Sequence, residues 1–466
     1  MLQLPVEEME MAPGHAMEWT VSAAGTAGLP QGSDPGALAS YNQKDHFSVA
    51  QNLRAADFGY ASYIGGSFEI RGSVDRVALE AALLHLVCRH EVLRCVFSAG
   101  TDGPALEVVP PQDVKLERVD IGRIDSPAEA RAYVRQFLQG TDTLRGPWIV
   151  MGAMIREEST TVYFACDHLL TDGVSTPVAV HDIATAYAAY ADGREPSLPE
   201  ARSFLDHGGA ERRRGAAMGP GDALLDHWKE FVARNGGQLF PRFPLDLGIE
   251  PGVAYRAVNE ADALLPSGRL DAMEARCRSV GGRTSAGVLA ALGVSLRREG
   301  GPEVYRALVP VSTRGQGPYE HSMGWFVNTL PVEFPVADDT DFAGIMAGAQ
   351  GALQAMRPYA DAPFVRVFDL LTANQTGPRV WPFAVSFFSY LDFRRTPGAH
   401  SHVAWKARKY VSTTHSNGIF FWFHRDHTGL HLNSIFVDTS EARRTKAALV
   451  KTLVQTLDSI ARTGRF

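Results

Sequence analysis

Four cysteines in 466 residues are too few and too scattered for a disulfide scaffold, and Cys88, Cys95, Cys166 and Cys277 lack the paired spacing of a zinc site. Metal binding is therefore not expected. Uninterrupted apolar stretches are missing as well; none approaches the ~18 residues that would suggest a membrane span. The start, Met1 to Glu8, has neither a basic region nor an apolar core of a signal sequence, so a reducing cytoplasm is the expected location. There is no excess of positive charge: the net charge is −7, which argues against a nucleic-acid partner. Several catalytic signatures are absent too. No Gly-x-Ser-x-Gly elbow, Walker lysine loop, Gly-x-Gly-x-x-Gly turn or His-Glu-x-x-His helix is found, which removes the hydrolase, NTPase, dehydrogenase and zincin readings.

What is present is a globular composition, 45% hydrophobic, long enough for two domains with sizeable cores. Ala12 to Ala39, rich in Gly, Ala, Ser and Pro, reads as an irregular arm around a strand at Met17 to Val21, and folding proper starts near Tyr41. Strands are expected at Gly66–Ile70 and Trp148–Met151, with helices at Asp75–Val92 and Pro127–Leu138, giving a mixed α/β order. An Ala-rich helix is expected at Val178–Ala191. Periodicity then lapses from Gly193 to Gly221, where prolines and the run Arg212-Arg213-Arg214 predict a linker. The triple arginine reads as a solvated linker charge run or a docking patch for a carrier protein or its phosphopantetheine. The boundary placed there gives an N-terminal domain at 1–215 and a C-terminal one at 216–466. In the second, helices are expected at Asp222–Asn235, Leu265–Val280 and Ser285–Arg298, and strands at Tyr305–Val311, Ile419–His424 and Leu430–Phe436.

The segment with chemistry is Asp167-His168-Leu169-Leu170-Thr171-Asp172-Gly173, directly after the strand-like Thr161–Cys166. A histidine at the end of a buried strand is held by packing, and an unperturbed pKa of about 6.5 lets it take a proton from a hydroxyl or amine near neutrality. Asp172 has two candidate jobs, orienting that ring or pairing with a distant arginine; a tight turn favours the second. Gly173 allows close backbone approach and an N–H for developing oxyanion charge. The bland alternatives are a satisfied core histidine at His168 and a buried apolar Cys166, which otherwise invites a Cys–His nucleophile reading. Metal ligation by His168 and Asp172 would need a helix and a third ligand.

This run resembles the His-His-x-x-x-Asp-Gly motif of the condensation-domain and chloramphenicol-acetyltransferase superfamily, with Asp167 in place of the first histidine. Arg89-His90-Glu91-Val92-Leu93-Arg94-Cys95-Val96-Phe97 resembles that family's Arg-His-Glu-x-Leu-Arg-Thr-x-Phe segment. Pro310 to Gly315, and Gly324-Trp325-Phe326-Val327-Asn328-Thr329-Leu330-Pro331, resemble two further signatures, and Asp361–Phe364 and Pro382–Phe387 are weaker echoes. Order and spacing fit over roughly residues 40 to 460.

The resemblance implies an α/β (α+β type) fold of two chloramphenicol-acetyltransferase-like lobes forming a V, with an active-site tunnel at their interface. It implies an acyltransferase in which His168 is the general base and Gly173 lies near the oxyanion, while Asp172 forms an interdomain ion pair with Arg314. Asp167, Ser386, Asn328 and His415 become candidates for the tunnel lining, Ser386 also as an oxyanion hydroxyl; His424 is unplaced. The implied reaction forms an ester or amide in secondary metabolism, with no bound cofactor. The donor is an acyl-phosphopantetheine thioester on an acyl or peptidyl carrier protein, or an acyl-CoA, and the acceptor is a small alcohol or amine. His227–Phe231, Asn235–Gly237 and Phe243–Leu245 resemble the polyketide-associated branch, which acylates trehalose and lipids. A non-catalytic docking module on the same fold is the alternative of another class.

Overall fold

A computed structural model describes residues 1–23, 39–55, 62–100, 103–250, 253, 255–315, 317–338, 340–372, 384–413 and 415–466. The expected arm therefore falls partly, and Pro382–Phe383 wholly, outside the described residues. The chain forms two compact units that are not simple halves: Met1–Ala216, Arg314–Val327 and Phe393–Thr414 make the first, and Ala217–Thr313, Asn328–Asp392 and His415–Phe466 the second.

The first unit is built on a seven-stranded sheet. Its spatial order is Leu2–Leu4, Arg408–Thr413, Ser62–Arg71, Ser159–Asp167, Ile149–Ile155, Gly14–Ala23 and Val114–Ile124. All pairs are antiparallel except the first. Ser159–Asp167 sits at the centre, and nearly every residue along it is buried, as a strand covered on both faces requires. One face packs Tyr63, Tyr163, Ala165 and Tyr410 with Ala130, Val134 and Leu138 of the helix Pro127–Leu138. That helix starts where the sequence signals it, with Ser126 accepting from the Glu129 N–H and Pro127 at its first position. On the other face Gly66 lies so close to Thr176 that a Cβ there would stand 2.7 Å from the threonine methyl, which seats the helix Ser175–Ala191 against the sheet.

The expected linker is a correction. Phe204–Ala217 is a helix of the first unit, and Arg212 lies on it with its guanidinium 4.3 Å from the Tyr41 ring centre, while Arg213 and Arg214 face solvent. The glycines that break its periodicity are what let it dock: Gly208 faces Ser40, and Gly215 faces the Tyr41 ring. Glu211 accepts the Tyr41 N–H.

The second unit carries a five-stranded sheet ordered Phe388–Asp392, Ile419–Arg425, Gly429–Val437, Tyr255–Pro266 and His415–Ser416. The helix Thr284–Arg298 is buried along almost its whole length, and Ser267–Ser279 and Ser440–Thr463 pack around it. Tyr255–Pro266 was not expected as a strand, and the helix expected from Leu265 begins only at Ser267. The polar side chains that disguise this strand have a partner far away in sequence: Glu260 and Asp262 both accept from the Lys446 ammonium, at 2.7 and 2.6 Å.

Candidate active site

The strand Ser159–Asp167 ends one residue before His168, and His168–Leu170 form a single 3-10 turn. Asp167 starts that turn, its carboxylate accepting from the Leu169 N–H at 2.9 Å and from Thr143 Oγ1 at 2.5 Å. The helix Tyr41–Ala55 closes the turn from the side: Gln43 Nε2 donates to the Leu169 carbonyl at 2.8 Å. Asp167, Leu169 and Leu170 are buried, whereas His168 keeps partial exposure. Its Nδ1 is buried without a hydrogen-bond partner from another residue.

Three rings meet here. The Trp325 indole stacks on the His168 imidazole with centroids 3.9 Å apart and planes 29° from parallel. His46, from the helix Tyr41–Ala55, lies 5.8 Å from His168 and 5.5 Å from Trp325, edge-on to the indole. His46 Nε2 is 3.6 Å from Asp167 Oδ1. Burial, and then the neighbouring His46, bring the His168 pKa down to about 4, against the opposing charges of Asp167 and Asp172. At neutral pH the imidazole is thus unprotonated, which differs from the ordinary value of about 6.5 on which the sequence reading rests.

Asp172 does not touch that ring. Oδ1 accepts from Val174 N, Ser175 N and Arg314 Nη2, at 3.0, 2.9 and 2.8 Å, and Oδ2 accepts from Phe326 N at 3.1 Å. Burial alone would raise this carboxyl, but the Arg314 guanidinium and the hydrogen bonds from Arg314 and Ser175 hold it below the usual carboxylate range. Arg314 also donates to the carbonyls of Tyr319 and Ser322, and its guanidinium lies 4.3 Å from the Phe326 ring centre. The two residues are brought together within the first unit, since Arg314–Val327 folds there rather than with the second half of the chain. The same hub fixes Trp325. Gly324 N donates to Ser175 Oγ at 3.2 Å, and Phe326 N to Asp172, so both neighbours of the indole are anchored at the start of the helix Ser175–Ala191. Gly324 has φ +151 and a Cβ there would stand 2.5 Å from Phe204, so the approach needs a glycine.

Gly173 occupies the turn just before that helix and is partly exposed. The segment Arg89–Phe97 has a structural part. His90 Nε2 donates to Asp182 at 2.8 Å while its Nδ1 accepts from Met323 N, and Arg89 also binds Asp182. Cys166 is buried, and burial pushes its thiol up, so no thiolate is available for the nucleophile reading. Asn328, Ser386 and His415 belong to the second unit. The Asn328 amide is committed there, donating to the carbonyls of Ala360 and Ala362 and accepting from Phe364 N. Ser386 is buried in a backbone pairing with Pro241 and Leu308, and His415 lies in a two-residue strand opposite Arg256. His424, on Ile419–Arg425, pairs with His431 across the sheet. Among the described residues no group of three or more His, Cys, Asp or Glu side chains could hold a metal ion, and no helix is long and apolar enough to cross a membrane.

His46 and the stacking role of Trp325 are absent from the sequence reading. Trp325 lies inside a recognised signature and could have been singled out as its one large side chain. His46, in an otherwise polar helix, carries no local signal.

Comparison with known proteins gives a consistent result. Residues 50–394 match the Condensation domain family. "Acyltransferase PapA3" of Mycobacterium tuberculosis (strain ATCC 25618 / H37Rv) is 23% identical over 99% of this chain and 97% of its own length. "Trehalose-2-sulfate acyltransferase PapA2" of the same strain is 24% identical over 70% of this chain and 69% of its own. Among solved structures, "PapA2 acyl transferase" superposes with a TM-score of 0.88 at 23% identity, covering 99% of this chain and 100% of that one. The first condensation domain of the calcium-dependent antibiotic synthetase superposes with a TM-score of 0.68 at 16% identity, covering 90% and 95%. With a family match across most of its length and the two-lobed fold of those structures, the chain belongs to the condensation-domain family.

Proposed function

We propose that the protein transfers an acyl group from a phosphopantetheine-type thioester to the hydroxyl of a small acceptor, forming an ester, with His168 as general base. The observation that carries this reading is the state of His168. It is a partly exposed strand-end imidazole with Nδ1 buried and Asp172 wholly engaged elsewhere, and burial holds its pKa below the ordinary value. Nε2 is then the nitrogen that receives the hydroxyl proton as the oxygen attacks the thioester carbonyl. The tetrahedral intermediate collapses by breaking the C–S bond, and the imidazolium returns its proton to the departing thiolate. An imidazolium of low pKa is a strong acid toward that thiolate.

A hydroxyl rather than an amine is favoured because the likeness to the acyltransferases PapA3 and PapA2 runs along most or all of this chain, and one of those names specifies a sugar acceptor. A carrier protein is the preferred donor, with acyl-CoA as the second reading; both present the same thioester. The docking-module alternative loses ground because the base, the aspartate and the glycine of the motif are all retained.

The test is turnover of acyl-carrier and acyl-CoA thioesters with hydroxyl and amine acceptors, read by mass spectrometry. His168→Ala is expected to lose about 10²–10⁴-fold in rate with an unchanged circular dichroism spectrum. Wild-type kcat/KM should fall on the acid side near pH 4 rather than near 6.5, because protonation of His168 removes the base. Carrier binding without turnover, or full activity in His168→Ala, would end the proposal.

A further inference from the structure

We propose that His46 and Trp325, backed by Asp167, are the positioning residues of His168: a clamp of two rings that sets the plane of the imidazole. The inference rests on the reading of His168 as the base and names what holds it. A catalytic histidine is commonly fixed by a hydrogen bond from its second nitrogen. Here Nδ1 has no such partner from another residue and meets only His168's own backbone, so no hydrogen bond from a neighbouring residue sets the ring angle.

The rings do. Trp325 covers one face of the imidazole at 3.9 Å, and His46 stands edge-on to the indole at 5.5 Å and tilted to His168 at 5.8 Å. The Asp167 carboxylate stands 3.6 Å from the Nε2 of His46, a close approach beyond hydrogen-bonding reach that backs this ring. The chain of contacts thus runs from Asp167 through His46 and Trp325 to His168. Asp167 stands at the position that holds a histidine in the motif this chain resembles, and His46 brings an imidazole back to that side from a different helix. Trp325 is not a core filler: Gly324 and Phe326 on either side are buried and anchored, whereas the indole remains half-buried against the imidazole.

The clamp also bears on charge. When His168 takes the proton it becomes a cation in a place where burial disfavours one, and the indole face offsets part of that cost. The other groups acting on the ring are His46 from the helix Tyr41–Ala55, Asp167 before it and Asp172 after it, with Asp172 already paired to Arg314.

The experiment uses the full chain with Trp325→Leu, Trp325→Phe, His46→Gln and Asp167→Asn. Two readouts are taken: kcat and KM with the substrates used for His168→Ala, and the pH titration of His168 by its Cε1 signal in ¹³C-histidine-labelled protein. Trp325→Leu should lower kcat by ~3- to 30-fold with KM nearly unchanged, and Trp325→Phe should recover most of the loss because an aromatic face is restored. His46→Gln should move the His168 titration upward, since a neighbour that depresses it is gone. Asp167→Asn should move the His168 titration downward, opposite to His46→Gln, since it removes a charge that raises it. Wild-type kcat together with an unchanged His168 titration in Trp325→Leu and His46→Gln would overturn the clamp. Should His168→Ala itself keep full activity, the base reading fails, and the titration still decides whether the two rings hold the imidazole.

Discussion

Lys409 stands in the strand Arg408–Thr413 directly opposite Gly66, 3% exposed, and it makes no ion pair among the described residues; the Phe393 ring centre is 5.9 Å from its ammonium. Burial draws its pKa down from 10.5 to about 8, with Asp172 opposing. A depression of that size sets roughly 3 kcal/mol against the charged folded state at neutral pH. Between pH 8 and 10.5 the unfolded chain keeps a proton that the folded one has shed, so this residue's contribution to stability rises with pH across that window. Lys409→Met retains the stem and removes the charge. It is expected to raise the thermal midpoint at pH 7 and to flatten the rise between pH 8 and 10.5, which thermal unfolding at a series of pH values checks. A lowered midpoint at pH 7 would mean that the ammonium holds something the fold needs. His168 acts on the acid side in the same sense. Its folded pKa lies below the unfolded one, so stability is lost as pH falls from about 6.5 toward about 4.

At the level of elements, Phe204–Ala217 shows how tertiary contacts overrule local signals. Replacing an interior helical glycine by alanine normally stabilises by about 1 kcal/mol. At Gly215 the added carbon would lie 2.5–2.8 Å from two carbons and the hydroxyl oxygen of Tyr41, whose ring centre is also 4.3 Å from the Arg212 guanidinium. Overpacking of this kind costs typically ~1–3 kcal/mol, so the clash wins. Gly215→Ala is expected to lower the urea midpoint, whereas Gly209→Ala, whose new carbon meets only the flexible end of Arg213 at 3.4 Å, should raise it. Chemical denaturation of the two variants beside wild type separates these outcomes. The same competition explains what could be read in advance. Pro127–Leu138 and the strand ahead of His168 carry their signals locally, in a cap and in a run of β-branched and aromatic residues. Asp172 with Arg314 was reachable only through resemblance, because 142 residues separate them. Tyr255–Pro266 and Phe204–Ala217 were missed because the contacts that stabilise them, Lys446 and Tyr41, come from remote segments. His46 was missed for the same reason: only the folded helix reveals that it faces the same turn as Gln43.

For the whole molecule, the chain crosses between its two compact units five times, near residues 216, 313, 327, 392 and 414. The first crossing follows Ala216, and the first unit is incomplete without two later segments. Arg408–Thr413 pairs with Ser62–Arg71 along six residues, and Arg314–Val327 supplies the cation and the backbone N–H groups that satisfy Asp172. A fragment ending at Ala216 would leave the edge of Ser62–Arg71 unpaired and the Asp172 carboxylate buried without its cation. Stranding one partner of a buried pair typically costs ~3–5 kcal/mol, comparable with the net stability of many domains. It would also strip Trp325 from His168. The fragment 1–216 is therefore expected to be unfolded or aggregated by circular dichroism and limited proteolysis, while the full chain resists protease. Adding peptides that span 314–327 and 393–414 should restore part of the protection. A fragment that folds cooperatively by itself would show that the sheet tolerates the loss of its late strand, and that the hub around Asp172 belongs to catalysis rather than to folding.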